Sequence, residues 1–281
     1  MESDLLVCQN IFRGYSRTYY YSSQFFPSTT RYHVYALYAF FRTPDEYVDN
    51  PVGDPTAEMM RFREIYEATW ATGTSDDAVL RAFCNTARVQ GIPKEWADAF
   101  LDAMAMDLTV SRYDTYEDLC KYVYGSAEVV GLMMAKVMGV PQEGLDAARE
   151  LGLAMQLTNF YRDIGEDWEE RGRIYVPLED LERFGIRERD WNAGVDPDRF
   201  GALIRFQAER NLGQYRFAHT GFPLIPWQSR LAVALSSIGY QHTLQQILRD
   251  PMVVWRTRLA HRRTDYLPIL YRAWNAAYVL H

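Results

Sequence analysis

An all-α fold is what this chain predicts, and three observations carry the expectation. Apolar residues recur at three- and four-residue spacing along nearly every segment, and glycine and proline mark where those segments end. No alternating β-branched run is bounded by hairpin-type turn residues. With 281 residues, 48% of them hydrophobic, the chain can build one large core. No linker, low-complexity tract or fixed-period repeat divides it, so a single domain over 1–281 is expected.

The elements follow in order. A first helix is expected over about Asp4 to Gln24, ending at Pro27, and a second from Ser28 or Thr29 to Asp49, stopped by Asn50-Pro51. Pro44 lacks an N–H and its ring clashes with the Phe40 carbonyl, so the second helix should kink, break or restart just before Asp45. Met59, Met60, Phe62, Ile65 and Tyr66 give helical spacing to 56–72. Further helices are expected at 76–90, 94–111, 115–138 and 142–168, separated by Gly73, Gly91-Ile92-Pro93, Tyr113-Asp114 and Gly139-Val140-Pro141. A short helix from Leu178 to Phe184, two long ones near 197–218 and 226–249, and a last one near 264–279 complete the chain.

Two acidic clusters sit inside these apolar helices. On a helix, positions i, i+4, i+7 and i+11 share a narrow stripe. Tyr38, Arg42, Asp45 and Asp49 fit it, and Gln156, Asn159, Asp163 and Asp167 nearly repeat it. A lone Asp-x-x-x-Asp pair usually marks a solvated face. Here the flanks, Val34 to Phe41 and Leu151 to Tyr161, are strongly apolar, and aspartate is a poor helix-interior residue. Two such faces turned toward each other would hold hard divalent cations and a polyanion, because Mg²⁺ takes carboxylate and phosphate oxygens.

Composition excludes several classes. A formal charge of −7 argues against nucleic-acid binding. Cys8, Cys84 and Cys120 are scattered, which suggests a reducing compartment and no disulfide framework. His33, His219, His242, His261 and His281 show no zinc-ligand pattern. Met1-Glu2-Ser3-Asp4 opens acidic with no apolar run behind it, and no stretch reaches 18 uncharged apolar residues. A cytoplasmic protein without a spanning helix is expected.

The segment Gln156-Leu157-Thr158-Asn159-Phe160-Tyr161-Arg162-Asp163-Ile164-Gly165-Glu166-Asp167, with Arg171-Gly172-Arg173-Ile174-Tyr175-Val176-Pro177 behind it, resembles the squalene/phytoene synthase family of head-to-head prenyl transferases. Tyr15-Ser16-Arg17-Thr18, Arg42-x-x-Asp45-x-x-x-Asp49 and the small-residue stretches Tyr122 to Ala127 and Val130 to Ala135 support the resemblance over essentially the whole chain. It implies a helical bundle of the class I isoprenoid synthase type with a central cavity. It implies Mg²⁺, with Mn²⁺ as a substitute, on Asp45, Asp49, Asn159, Asp163 and Asp167. It places Tyr15, Ser16, Arg17, Thr18, Tyr38, Arg42, Gln156, Arg162 and Tyr240 on the substrate diphosphates. Asp45, Asp49, Asp163, Asp167, Arg42 and Arg162 are then the catalytic set.

The character of the Val130 to Val140 stretch is similar to bacterial phytoene synthases, which implies two geranylgeranyl diphosphates joined into 15-cis-phytoene for carotenoid synthesis. The alternatives are a squalene or dehydrosqualene synthase using farnesyl diphosphate, with NADPH only for squalene, a class I terpene cyclase, or a non-catalytic assembly protein of the same fold. Three features depart from the family pattern or leave alternatives open. Glu46 stands where many relatives have a second aspartate. Glu128 replaces a small residue and belongs either to a polar outer stripe with Glu117 and Lys121 or to the mouth of the site. Glu169, Glu170, Arg171 and Arg173 form surface ion pairs unless an arginine reaches the diphosphate. Ser22, Ser23 and residues near Gly201 are candidates for setting tunnel depth. A hydrocarbon product implies a peripheral membrane encounter, with downstream carotenoid enzymes as candidate partners. Arg256 to Arg263, the densest basic run, either meets anionic lipid or holds diphosphate and helix ends.

Overall fold

The computed structural model describes residues 2–279, with the backbone alone for Glu2 and for Arg17 to Tyr19, and among them helix follows helix without a strand. Met1 and His281 lie outside them. The helix expected over Asp4 to Gln24 is two, α1 (Glu2–Tyr15) and α2 (Arg17–Ser23), because Ser16 leaves helical geometry at φ −140°, ψ 87°. The second, α3 (Ser28–Asp49), runs through Pro44 without the expected interruption. Packing explains why: Val34, Tyr35, Leu37 and Phe40 are buried along α3, and the Phe40 ring stacks on Phe83 at 3.6 Å. Burial of that face outweighs one missing hydrogen bond.

Asp54 and Asp77 cap α4 (Pro55–Thr72) and α5 (Ala78–Gln90) by accepting from backbone amides of the first turn. The next helix, α6 (Lys94–Met106), stops short of the expected 111; the chain turns at Asp107, ahead of the β-branched Thr109 and Val110. One helix was expected over 115–138. Instead α7 (Tyr116–Val123) widens into a π-helical turn, Tyr124–Glu128, before α8 (Val129–Met138). One was expected over 142–168, yet α9 (Leu145–Arg162) and α10 (Ile164–Arg171) are separated at Asp163. The rest agree to within a few residues: α11 (Leu178–Arg183), α12 (Pro197–His219), α13 (Trp227–Arg249) and α14 (Tyr266–Tyr278).

In one half of the bundle α3 packs on α1, α4, α5 and α6; in the other α9 packs on α8, α12 and α13. The π turn and α8 join the halves, and glycines let the backbones touch there. A Cβ on Gly125 would lie 2.3 Å from the Ala99 carbonyl oxygen, and one on Gly152 would lie 2.5 Å from that of Ala127. A cavity of about 910 Å³ remains between α3 and α9.

The π turn also decides the fate of Glu128. Glu117 and Lys121 face solvent as expected, 3.5 Å apart, but Glu128 is buried and lies 3.6 Å from the Arg149 guanidinium. Eleven residues of regular helix would return it to the outer stripe; the wide turn rotates it inward. Nor does it stand at the site, because it is absent from the cavity wall. Both expectations for Glu128 fail.

Candidate active site

One face of α3 carries the first half of the site. Val34, Tyr38, Phe41, Arg42, Asp45 and Asp49 line the cavity at helical spacing. Gln156, Asn159, Arg162, Asp163, Glu166 and Asp167 line the opposite wall from α9 and α10. The break at Asp163 does not scatter them, because the Asp167 amide still donates to the Asp163 carbonyl at 2.8 Å. Arg171 spans the gap, with Nε 3.3 Å from Asp49 and Nη1 3.7 Å from Asp167. The two acidic segments therefore face each other.

Arginines hold these carboxylates. Arg42 donates to Asp45 at 2.5 Å and also contacts Glu46; Arg162 grips Asp163 with two bonds of 2.6 and 2.5 Å. Even so, burial and then the neighbouring Asp49 push the Asp45 carboxyl up to about 6. Burial and then Asp163 push Asp167 up to about 7. The arginines pull both values the other way without cancelling the effect. Seven carboxyl groups and five guanidinium groups line the cavity.

The donor set fits Mg²⁺ or Mn²⁺: hard oxygen ligands only, with the Asn159 Oδ1 buried and without a hydrogen-bond partner among the described residues. Among the described residues no three ligand side chains converge into a closed cage. Ions here would need further oxygens from a bound anion.

Of the residues expected to touch substrate, Tyr38, Arg42, Gln156, Arg162 and Tyr240 line the cavity. Tyr15 does not; it is exposed, with the Arg42 guanidinium 4.7 Å above its ring. Ser16 is also outside the wall, beside Tyr38. The side chains of Arg17 and Thr18 lie outside the described residues. Ser22 and Ser23 line the cavity, whereas Gly201 is buried in α12 away from it.

Several site residues were misjudged or missed. Arg171 and Arg173 are not surface ion pairs: both line the cavity, and Arg173 is only 11% exposed. Asp107 lines it too, accepting from the Tyr122 hydroxyl at 2.8 Å and the Tyr175 hydroxyl at 3.4 Å. Burial pushes its carboxyl up to about 6. A short pairing places this group. Gly172, at φ 61°, ends α10; the Ile174 amide then donates to the Ser111 carbonyl, and Arg173 Nη2 to the Asp107 carbonyl at 2.8 Å. The period of two between Arg173 and Tyr175 was the available signal for an extended segment with one face on the site. Arg258 also reaches the wall, 3.4 Å from Glu166, while Arg256 pairs with Asp250 instead.

Away from the charged end the cavity is apolar, walled by Phe26, Phe100, Met134, Met138, Phe222 and Ile225. A ligand with an anionic head and a long hydrocarbon tail matches this division.

The squalene/phytoene synthase family matches residues 12–265. A 15-cis-phytoene synthase from Synechocystis is 33% identical over 98% of this chain and 85% of its own length. Another from Enterobacter agglomerans is 31% identical over 92% of this chain and 90% of its own. Among solved structures, a dehydrosqualene synthase superposes with a TM-score of 0.88 at 25% identity, covering 98% of this chain and 96% of its own. A squalene synthase from Alicyclobacillus acidocaldarius gives 0.82 at 28% identity, covering 88% and 94%. The chain belongs to the squalene/phytoene synthase family of prenyltransferases.

Proposed function

We propose that this enzyme is a 15-cis-phytoene synthase, joining two geranylgeranyl diphosphates through a cyclopropylcarbinyl diphosphate. The observation that carries the reading is the pair of facing acidic helices at one end of a cavity that is otherwise apolar. The phytoene synthases among its relatives support the C40 substrate. The structural likeness to a dehydrosqualene synthase supports farnesyl diphosphate as the second reading.

In the first step an allylic C–O bond breaks and diphosphate leaves with the electron pair. The C2–C3 double bond of the second substrate attacks the cation, and loss of a proton closes the cyclopropane. In the second step the remaining C–O bond breaks, the cation rearranges, and a further proton is lost to form the central double bond. Asp45, Asp49, Asn159, Asp163 and Asp167 would hold Mg²⁺ or Mn²⁺, which when bound supplies Lewis-acid charge to the departing diphosphate.

The chain's own residues do the rest. Arg42 and Arg162 bind diphosphate oxygens with their planar forks, joined by Arg171 and Arg173. Tyr38 and Gln156 orient the head group. Phe41, Phe160 and Tyr240 face the cation with aromatic surface, and the apolar wall excludes the water that would quench it to an alcohol. A hydrocarbon product implies delivery to a membrane surface without a span; among the described residues no helix is long and apolar enough to cross one.

The test supplies farnesyl and geranylgeranyl diphosphate separately, with Mg²⁺, and identifies each product. Phytoene from the longer substrate supports the reading; a C30 product alone, with the longer substrate untouched, replaces it with the second. Asp163→Ala should lose turnover by orders of magnitude across a metal titration while staying folded. Full activity in that variant would remove Asp163 from the site.

A further inference from the structure

Two faces of α14 are apolar, and only one is covered. Ile269, Ala273 and Ala277 share a buried cluster with Phe222, Ile225, Ala234 and Ile238. Leu267, Leu270, Tyr271 and Trp274 face solvent, with Leu267 77%, Tyr271 70% and Trp274 52% exposed. The patch continues onto Trp227, itself 66% exposed, at the start of α13, where the Tyr278 hydroxyl donates to the Trp227 carbonyl at 3.0 Å. A contiguous exposed surface of this kind marks an interaction site. Leucine with tryptophan and tyrosine is the composition that settles at the boundary between lipid headgroups and acyl chains.

Charge points the same way. Of the five arginines from Arg256 to the chain end, Arg256 pairs with Asp250 and Arg258 with Glu166, which leaves Arg262, Arg263 and Arg272 against one carboxylate, Asp265, in a molecule of net charge −7. Arg262 and Arg263 are exposed at the start of α14. Position adds a third argument. Phe222 and Ile225 belong both to the cavity wall and to the cluster beneath α14. Ala232, Val233 and Ser236 of α13 face the cavity, while Ala234 and Ile238 face α14, so one helix separates the apolar chamber from the exposed patch.

We propose that the outer face of α14, with Trp227 beside it and Arg262 and Arg263 at its rim, docks onto an anionic lipid bilayer. Lying flat, the helix spans about 20 Å of membrane surface and sets the hydrocarbon end of the cavity against it. The value of this placement rests on the prenyl-substrate reading of the cavity, though the docking itself is read without substrate.

The test is flotation of the full chain with vesicles of phosphatidylcholine alone and of phosphatidylcholine mixed with phosphatidylserine. Wild type should float with the mixed vesicles. Tyr271→Glu/Trp274→Glu should lower that binding by at least about tenfold, and Arg262→Glu/Arg263→Glu should lose the preference for the anionic lipid. Both variants should keep the wild-type thermal midpoint and turnover in detergent. No flotation of wild type, or equal flotation of the α14 variant, would overturn the proposal. So would a wild-type dimer, seen by light scattering, that the α14 variant dissociates without any vesicle binding; the face would then pair two copies of the chain. Loss of prenyl transfer in detergent would count against the activity and leave the flotation result standing.

Discussion

Arg42 and Arg162 grip carboxylates with a planar two-donor fork, which is also the geometry a diphosphate presents. A lysine offers a point charge instead. Arg42→Lys and Arg162→Lys should keep the fold yet lower turnover by at least about tenfold, equivalent to about 1.4 kcal/mol of transition-state stabilisation. One of the two should also release the cyclopropyl intermediate, because the second ionisation is slowed selectively. Turnover, thermal midpoint and released intermediate are the three readouts. A lowered midpoint with unchanged turnover would mean that the arginines merely neutralise their aspartates. At this scale the sequence made the paired aspartates legible, because two copies of one spacing stand out in apolar helices. Asp107 had no such mark: it is a single carboxylate at the end of α6, and its meaning comes from Tyr122, Tyr175 and Arg173, all distant in sequence.

At the scale of the element, helix positions were readable and helix interruptions were not. Glycine and proline punctuation located the ends of α3, α4, α5 and α12. Glycines do stand near the breaks at Ser16 and Asp163 and within the π turn, at Gly14, Gly165 and Gly125, but none takes the positive φ that ends a helix, so they do not mark the interruptions as Gly73 or Gly91 do. Tyr122, Ser126, Val130, Met134 and Met138 all line the cavity at steps of four, a spacing that drifts about 40° per step on a straight α-helix. A wider turn takes up part of that drift and keeps the row on the cavity. It also brings Gly125 against α6, where a Cβ would overlap the Ala99 carbonyl and Ala103. Gly125→Ala should therefore cost about 1–3 kcal/mol through forced separation of the two helices. Gly14→Ala, whose Cβ meets nothing within 4 Å, should be neutral or slightly stabilising. Chemical denaturation of both variants measures the difference, and equal stability would contradict the close approach.

For the whole molecule, carboxyl groups partly or wholly withdrawn from water couple stability to pH. Burial raises Asp45 and Asp107 to about 6 and Asp167 and Glu128 to about 7, with Arg149 only partly opposing the effect at Glu128. A carboxyl group whose pKa is higher in the fold keeps its proton where the unfolded chain has released it. Stability then falls as pH rises from the unfolded value to the folded one, and the full penalty remains above it. The thermal midpoint without divalent cation should accordingly drop between about pH 4 and pH 7. Glu128 separates the structural part from the site, since it lies outside the cavity wall and faces Arg149 and Glu150. Glu128→Gln should match wild type near pH 4 and exceed it near pH 8 by at most about 3 kcal/mol. Mg²⁺ added with inorganic diphosphate should act on the other share: together they should raise the midpoint of wild type and Glu128→Gln near pH 8, do little near pH 5 where Asp45 and Asp167 hold protons, and do little for Asp167→Asn at either pH. A midpoint that stays flat from pH 4 to 8, or a Glu128→Gln difference equal at both ends, would show that these carboxyl groups remain ionised and that the arginines neutralise them after all.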